Sequence, residues 1–445
     1  MDDEQLAGIA RRNVRLFIAF RVFFNARFYY PVFAVIYLDF GMTLEQFAIL
    51  NSIWAATIIV AEVPSGALSD LVGRKKLLVT AGALMVAEML LWAFAPTSDL
   101  NLLFWILALN RVLSGLAEAA ASGSDEALAY DSLDDAGMTN DWAKILQSVT
   151  RWQSIAFMFA LITGGIIYDP NVMQKACDTL GLNVSLTQSD TMRWPIMLNL
   201  VTAVVTFTAV CLMTEPGHHK PKSETLTVGA AFRQTWRVGK WIWATPFALM
   251  VILAAATLDS AIRMFITMNS QYYRLIEYPA VAFGFIGAVI ALQNIFVASW
   301  ARKMTEHFTP NRNFLIIATI VMSAFIGIRF FIPYVGVIFT LMLFAGIVMT
   351  GFCTSYYLNQ SADQSTRATV LSFKGLALNL GYGAIGLLYA ALVNHLRTSP
   401  QLATDNDGVF RAAAQWFPIW FGITVAMVLV VQFKLRATPP APASD

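Results

Sequence analysis

Charged residues are scarce in this sequence: Asp, Glu, Lys and Arg make up only 13% of its 445 residues, whereas 57% are hydrophobic. A soluble domain needs polar side chains to cover its surface, so this composition argues against one. A membrane-spanning helix needs about 20 mostly apolar residues in succession. Twelve stretches fit that length, at residues 14–38, 44–65, 76–96, 100–122, 145–168, 193–213, 242–270, 279–301, 313–332, 334–358, 368–393 and 410–433. The composition therefore predicts an all-α membrane protein with twelve transmembrane helices.

Cysteine and histidine are also rare. The sequence contains only Cys177, Cys211 and Cys353, and only His218, His219, His307 and His395. The cysteines are too few and too scattered for a disulfide framework, and neither residue type recurs at a metal-ligand spacing. No phosphate-binding loop and no nucleophile–base pair can be recognised. We therefore expect no cofactor, no metal and no enzymatic activity.

Basic residues collect on alternate loops. With the N-terminus in the cytoplasm, the inner side holds Arg11, Arg12, Arg15, Arg74, Lys75, Lys76, Lys144, Lys220, Lys222, Arg233, Arg237, Lys240, Arg302, Lys303, Arg312, Arg367, Lys434 and Arg436. The outer side holds only Lys175, Arg193, Arg274, Arg397 and Arg411. Positive charge concentrates on the cytoplasmic side of membrane proteins. The bias predicts a multi-pass protein of the cell membrane, inner or plasma, with both termini in the cytoplasm.

The longest inner loop divides the twelve stretches into six and six. Its first part is rich in Pro, Gly and charge, which is typical of a flexible segment. Its second part, Leu226 to Lys240, is amphipathic and basic, like a helix that lies against anionic lipid. We predict a six-helix bundle at 1–213, a cytoplasmic linker with an amphipathic helix at 214–240, a second six-helix bundle at 241–436 and a disordered tail at 437–445. Two such bundles are expected to be related by pseudo-two-fold symmetry.

The stretch GALSDLVGRKKLL, Gly66 to Leu78, follows the second span. It resembles the loop signature of the major facilitator superfamily between helices 2 and 3. The positions that match are Gly66, Leu68, Asp70, Gly73, Arg74 and Lys75. In its own right, Gly66 at a helix end permits close helix packing and Gly73 suits a tight turn. The resemblance implies that Asp70 contacts the start of helix 11, near residues 367–369, when the cytoplasmic side is closed.

Two further stretches resemble parts of this superfamily. In NRVLSGLAEAAASGSDEALAYDSL, Arg111 and Gly115 match the helix 4 pattern of drug or metabolite:proton antiporters. The resemblance implies that an aspartate about twenty residues later contacts the helix 2–3 loop; Asp131 is the match and Glu126 the alternative. The antiporter signature of helix 5 is only partial, because Gly164 and Gly165 are present without its earlier glycines and proline.

Charges inside predicted spans are costly unless they face water or a partner. Arg111, Glu118 and Asp125 are seven residues apart, a spacing that drifts by only about 20° per step around an α-helix. We expect them to form one polar stripe in which Glu118 exchanges a proton near Arg111. A purely structural ion-pair network is the alternative for the same three residues.

Other polar residues in the spans are candidates for a substrate cavity. The resemblance implies that helices 1, 4, 7 and 10 line the central path. The candidates are Arg21, Asn25, Arg27, Asp259, Arg263, Tyr356 and Tyr357. Asp259 and Arg263, one helical turn apart, could instead form an intrahelical ion pair. Glu88 has no obvious partner in the sequence.

The resemblance implies a secondary active transporter that works by alternating access. Proton-coupled efflux of a small amphipathic drug or metabolite is the first hypothesis. Proton symport or uniport of a small organic anion is the alternative, favoured by the arginines in the spans. A non-transporting membrane scaffold or sensor is a third hypothesis, from another functional class. The implied partners are a small-molecule substrate, protons and the lipid bilayer, with no nucleic acid, and the chain is expected to be a monomer.

Overall fold

The computed structural model describes residues 3–215, 228–361 and 367–435. Within these ranges the chain forms helices and connecting loops, with no strand, so the predicted all-α fold class is confirmed. The α-helices are α1 Asp3–Asn25, α2 Phe33–Asp39, α3 Leu44–Val72, α4 Arg74–Ala93, α5 Leu100–Ala121, α6 Ser124–Asp135, α7 Trp142–Tyr168, α8 Pro170–Thr179, α9 Gln188–Thr191, α10 Trp194–Leu212, α11 Val228–Ala244, α12 Pro246–Ile266, α13 Asn269–Leu275, α14 Ala280–His307, α15 Pro310–Ile328, α16 Val337–Ser361, α17 Arg367–Leu396, α18 Asn406–Ala414 and α19 Phe417–Leu435, and short 3-10 helices lie at Tyr30–Val32 and Thr139–Asp141. The predictions for His218, His219 and the tail at 437–445 lie outside the described residues.

Eleven of the described helices are long and apolar enough to cross a membrane. They correspond to the second to twelfth predicted stretches, although α3 continues to Val72 and α14 to His307. The first stretch is divided, because α1 ends at Asn25 and α2 begins only at Phe33. Counted as one interrupted span, α1 and α2 bring the total to the twelve that were predicted.

Local sequence explains where several helices begin and end. Thr43 starts α3 with a capping box, and Asp99 accepts hydrogen bonds from two backbone N–H groups at the start of α5. Pro246 and Pro310 open α12 and α15, where a missing N–H leaves no hydrogen bond unmade. Gly73 separates α3 from α4 with φ of 99°, in agreement with the tight turn expected there.

The helices form two bundles, α1–α10 and α12–α19, which meet most extensively along two pairs of helices. These pairs are α3 with α17 and α7 with α14. At the second pair the backbones nearly touch: a Cβ atom on Gly284 would lie 2.3 Å from the carbonyl oxygen of Leu161. Small residues permit such close crossings between membrane helices. The contact between bundles therefore depends on shape, with little room for a larger side chain.

Between the bundles, α11 lies against α3, α12 and α17. It begins two residues after the start of the predicted amphipathic segment and continues to Ala244. Its exposed side chains combine tryptophans and bases, namely Arg233, Trp236, Arg237, Lys240 and Trp243. We call the end of the molecule that carries Gly73, residues 136–141 and residues 213–215 the linker face. The other end, which carries residues 40–43, 94–99 and 276–279, is the opposite face.

Candidate functional site

A cavity of 680 Å³ lies between the two bundles. Its charged lining residues are Arg27, Arg111 and Glu118 from the first bundle and Arg263 from the second. Much of the remaining wall is aromatic: Tyr29, Tyr30, Phe33, Trp54, Phe157, Tyr273, Phe283, Phe344 and Tyr382. Pockets of about 300–1,000 Å³ with apolar walls and a few polar groups are typical of small-molecule sites. This cavity is therefore the candidate functional site.

The first transmembrane helix is interrupted where it passes the cavity. α1 ends at Asn25, and Pro31 lies in the short 3-10 helix that precedes α2. Asn199 from α10 supports the interruption with two hydrogen bonds: its Oδ1 accepts from Phe28 N–H at 2.7 Å, and its Nδ2 donates to Ala26 O at 3.0 Å. Asn199 is completely buried. The side chain thus replaces hydrogen bonds that the broken helix cannot make itself, as irregular backbone inside a membrane protein requires.

Gly164 of α7 makes room for this interruption. A Cβ atom at position 164 would lie 1.8 Å from the carbonyl oxygen of Phe28. No side chain can occupy that space without moving the backbone of the first helix. Gly164, one of the two glycines that match the partial antiporter signature, therefore packs directly against the interruption.

The interruption presents Arg27 to two acidic residues on different helices. Arg27 lies 3.3 Å from Glu88 of α4 and 3.1 Å from Glu118 of α5, measured between side-chain nitrogen and oxygen. Glu88 is fully buried, whereas 37% of the Glu118 side chain is exposed. Glu88, for which the sequence suggested no partner, pairs with Arg27. One guanidinium therefore serves two carboxylates, and only Glu118 reaches the cavity.

The expected stripe of Arg111, Glu118 and Asp125 is wrong in its geometry. α5 ends at Ala121, and Gly123, with φ of 73°, separates it from α6, so Asp125 does not continue the same helical face. Asp125 instead pairs with Arg21 of α1 at 2.6 Å. Arg21 also contacts Glu126, and neither residue lines the cavity. These side chains form a separate ion-pair network.

Arg111 is buried beside the cavity, with only 4% of its surface exposed. Its Nε and Nη2 both donate to Asn110 Oδ1, at 3.1 and 3.0 Å. Three rings surround its guanidinium at 5.4 to 5.7 Å, those of Phe33, Tyr37 and Trp92. No carboxylate of the described residues lies within ion-pair distance of Arg111. The sequence placed Glu118 beside Arg111, but Glu118 pairs with Arg27.

In the second bundle, Arg263 and Asp259 form the intrahelical ion pair that was predicted as the alternative to a role in the cavity, with a closest distance of 2.6 Å. Arg263 also donates to Asn379 Oδ1 at 2.9 Å and lies 5.4 Å from the ring centre of Tyr382. Arg263 lines the cavity, whereas Asp259 does not. The charge of Arg263 is therefore balanced within its own helix.

Three other cavity candidates lie elsewhere. Asn25 donates to the carbonyl oxygen of Arg21, one turn earlier in α1. Tyr357 is buried and accepts a hydrogen bond from Asn313 at 2.5 Å, and the ring of Tyr356 packs against it at 5.5 Å. None of the three lines the cavity.

Comparison with known proteins identifies the family. The sequence model of the Major Facilitator Superfamily matches residues 15–386. The chain belongs to this superfamily. Its members are secondary transporters, so the chain is a multi-pass membrane transporter of small molecules, and the predicted transporter class is confirmed.

Solved structures of superfamily members share the fold. A bacterial homologue of the human lysosomal transporter Spinster, inward-facing and occupied, has 15% identity and a TM-score of 0.66, covering 98% of this chain and 99% of that one. The nucleoside transporter NupG has 12% identity and a TM-score of 0.67, covering 95% and 98%. A D-xylose-proton symporter has 11% identity and a TM-score of 0.60, covering 91% and 96%. No curated protein matches the chain in sequence. At these identities the likeness establishes the fold alone.

At the linker face, the superfamily's loop signature is held by two acids. Arg74 forms an ion pair with Asp131, the contact that the resemblance implied, and its Nη1 donates to Ala127 O at 2.8 Å. Glu215 accepts from the backbone N–H groups of Arg74 and Lys75, at 3.0 and 2.8 Å. The start of α4 is therefore capped by a carboxylate from the end of the first bundle.

Two expectations for this loop have different outcomes. Gly66 does not lie at a helix end, because α3 continues through it to Val72. The side chain of Asp70, and those of the residues at the start of α17 that it was expected to meet, lie outside the described part of the structure. The contact between Asp70 and the start of α17, which corresponds to helix 11 of the superfamily, stays a prediction.

The described polar contacts between the bundles cluster toward the opposite face. Asp39 of α2 and Arg274 of α13 form a two-pronged ion pair at 2.8 and 2.9 Å, and Tyr168 donates to Asp39. Glu45 at the start of α3 pairs with Arg397 after α17 at 3.0 Å. None of these pairs could be predicted from the sequence, since opposite charges at loop ends carry no signal of which helices meet. These ion pairs therefore join the two bundles at the opposite face.

Proposed function

We propose that the chain is a proton-coupled exporter of a small amphipathic compound, with Glu118 as the residue that gains and loses the proton. The observation that carries the proposal is the position of Glu118. It is the one acidic side chain of the described residues that lines the cavity, and it is held there only by Arg27. A carboxylate in such a place can exchange protons with water in the cavity while its charge is still sensed by a buried partner.

Protonation of Glu118 changes the ion pairs around the interrupted helix. With both glutamates ionised, Arg27 divides its hydrogen bonds between Glu88 and Glu118. A proton on Glu118 removes one of these attractions and leaves Arg27 paired with Glu88 alone. Because Arg27 lies in a non-helical segment, it can shift between partners without bending a helix. Such a two-position element is what couples proton binding to a change of conformation.

The cavity wall favours an amphipathic substrate. Aromatic rings from both bundles provide apolar contact, and the charged groups are confined to a few positions. Both bundles contribute to the wall, so a movement of one bundle against the other would open the cavity to one side and then the other.

Following the charge bias of the loops, we place the linker face and both termini in the cytoplasm of a cell that carries the protein in its inner or plasma membrane. We also keep Asp70 as part of a cytoplasmic gate with Arg74 and Asp131.

The proposal is tested in proteoliposomes under an imposed pH gradient. We would measure gradient-driven accumulation of two permanently charged probes, ethidium and naphthalene-1-sulfonate, together with exchange in the absence of a gradient. Glu118→Gln is expected to lower gradient-driven accumulation at least about tenfold while exchange persists, since only the protonation step is removed. Glu306→Gln, at an exposed ion pair outside the cavity, is the matched control. Full coupling in Glu118→Gln would exclude Glu118 from the mechanism.

A second candidate function is proton symport or uniport of a small organic anion. One observation favours it: Arg111 is buried beside the cavity and has no acidic partner among the described residues. The two probes separate the candidates, because gradient-driven uptake of naphthalene-1-sulfonate in the same direction as protons would indicate symport. Transport without any proton flux would indicate a uniporter.

A further inference from the structure

Arg111 differs from the other two arginines of the cavity in how its charge is balanced. Arg27 has Glu88 and Glu118, and Arg263 has Asp259. Among the described residues, Arg111 has no carboxylate within ion-pair distance: its direct contacts are the neutral amide of Asn110 and three aromatic rings, and the charge of Glu88, which is paired with Arg27, acts on it from further away. A buried charge without a directly paired counter-ion is unfavourable, and ring faces recover only part of that free energy. The arrangement is therefore incomplete as a structural ion-pair network.

The surroundings of Arg111 hold its guanidinium in place. Asn110 Oδ1 accepts from both Nε and Nη2, and Asn110 Nδ2 donates to the backbone oxygen of Glu88 at 2.7 Å. The rings of Phe33, Tyr37 and Trp92 restrict movement in the other directions. Nη1 has no hydrogen-bond partner among the described residues, although Arg111 lines the cavity. A rigidly held guanidinium with a remaining donor is suited to binding an acceptor from the cavity side.

The second bundle brings two further groups toward the same region. Tyr382 of α17 is 3% exposed and lines the cavity, and its ring lies 5.4 Å from the guanidinium of Arg263. Arg111 of the first bundle lines the same cavity. Donors from the two bundles therefore line one cavity.

We propose that Arg111, Tyr382 and Arg263 form a subsite for an anionic group of the substrate, a carboxylate, sulfonate or phosphate. The inference rests on the proposed function, because it takes the central cavity as the substrate site. The apolar body of the substrate would lie against the aromatic wall. An anion held by Arg111 from one bundle and by Tyr382 and Arg263 from the other links the bundles, so binding favours the conformation in which they are close together. The substrate is then an amphipathic anion, whichever direction it moves.

The test compares two probes that differ only in charge. Full-length protein in lipid nanodiscs, at uniform pH, would be titrated with radiolabelled naphthalene-1-sulfonate, and with neutral naphthalene-1-sulfonamide as a competitor. We expect the sulfonate to bind at least about tenfold more tightly than the sulfonamide, as charge-assisted hydrogen bonds require. Arg111→Gln should remove this preference, and Tyr382→Phe should reduce it. Arg151→Gln, an exposed base outside the cavity, should leave it unchanged.

Equal affinity for the two probes in the unaltered protein, including no binding of either, would overturn the inference, as would a preference that survives in Arg111→Gln. If Arg111→Gln does not fold, Arg111→Lys decides together with Tyr382→Phe, because lysine keeps the charge but loses the guanidinium geometry. An undiminished preference in both variants would then count against the subsite. The measurement uses no proton gradient, so a charge preference that persists in a protein without proton coupling would refute the proposed function and leave the subsite standing.

Discussion

The first helix of each bundle is interrupted, but the two interruptions carry different charges. In the first bundle, Arg27 lies within the interruption and pairs with acids from two other helices. In the second bundle, α12 and α13 are separated by the uncharged residues Thr267 and Met268, and Arg263 pairs with Asp259 one turn away in the same helix. A shift of the first interruption therefore changes ion pairs between helices, whereas the second pair moves as a unit. This difference supports the proposal that proton coupling lies in the first bundle.

The largest effect is expected from a change that removes the first interruption. Gly164→Ala would place a Cβ atom 1.8 Å from the backbone oxygen of Phe28, so the unwound segment and Arg27 must move. We expect Gly164→Ala to abolish transport and, in the extreme case, to prevent the protein from folding. A transport assay measures the first effect, and size-exclusion chromatography in detergent measures the second. Gly381→Ala in α17 is the control, because its Cβ would meet its nearest neighbour at an ordinary 3.5 Å. Normal transport by Gly164→Ala would show that the interruption is not needed.

The next effect compares the two arginines directly. Arg27→Gln leaves two carboxylates, one of them fully buried, without their cation, so we expect a loss of stability of about 3–5 kcal/mol. Arg263→Gln leaves only Asp259, with the charge of Lys374 acting on it, so the loss should be smaller. Thermal unfolding of the purified variants measures both.

A second substitution separates charge from packing in this comparison. Glu88→Gln added to Arg27→Gln should recover part of the lost stability, because the buried charge is removed together with its partner. Asp259→Asn added to Arg263→Gln is the matched pair in the second bundle. If Arg27→Gln and Arg263→Gln were equally stable, the contrast between the two interruptions would have no energetic basis.

Much of the fold could be predicted from the sequence, because the length of an apolar run is set by the thickness of the bilayer. The twelve spans required nothing more, whereas the turn at Gly73 followed from the conformational freedom of glycine. The two-bundle fold could be inferred from the number of spans and the loop motif. The ion pairs could not be predicted in the same way. The predicted stripe of Arg111, Glu118 and Asp125, spaced seven residues apart, assumed a continuous helix, but Gly123 interrupts that helix. A positive φ at one glycine was enough to assign Asp125 to another network.

The interruption of the first helix did leave a signal. Pro31 follows two tyrosines in the middle of the first span, and a residue before proline avoids the helical conformation. From that signal a break near residue 30 could have been predicted, and with it a change in the direction of Arg27. The support from Asn199 could not, because a buried asparagine in a helix gives no indication of which backbone it contacts. Its role depends on the packing of α10 against α1.

The smallest effect concerns the outer pieces of the two interrupted helices, which contact each other. Asp39 of α2 and Arg274 of α13 join them through two hydrogen bonds, so this ion pair stabilises the conformation in which the bundles are joined at the opposite face. Asp39→Asn should shift the balance toward opening by about 1–2 kcal/mol, roughly a tenfold change in the populations, because a charge-assisted bond is weakened. Spin labels on α2 and α13 would report the separation. The exchange Asp39→Arg with Arg274→Asp should restore part of the closed population, whereas Asp141→Asn at an exposed pair should change nothing. An unchanged distance distribution in Asp39→Asn would mean that the apolar and glycine contacts between the bundles, and not this ion pair, determine which face is closed.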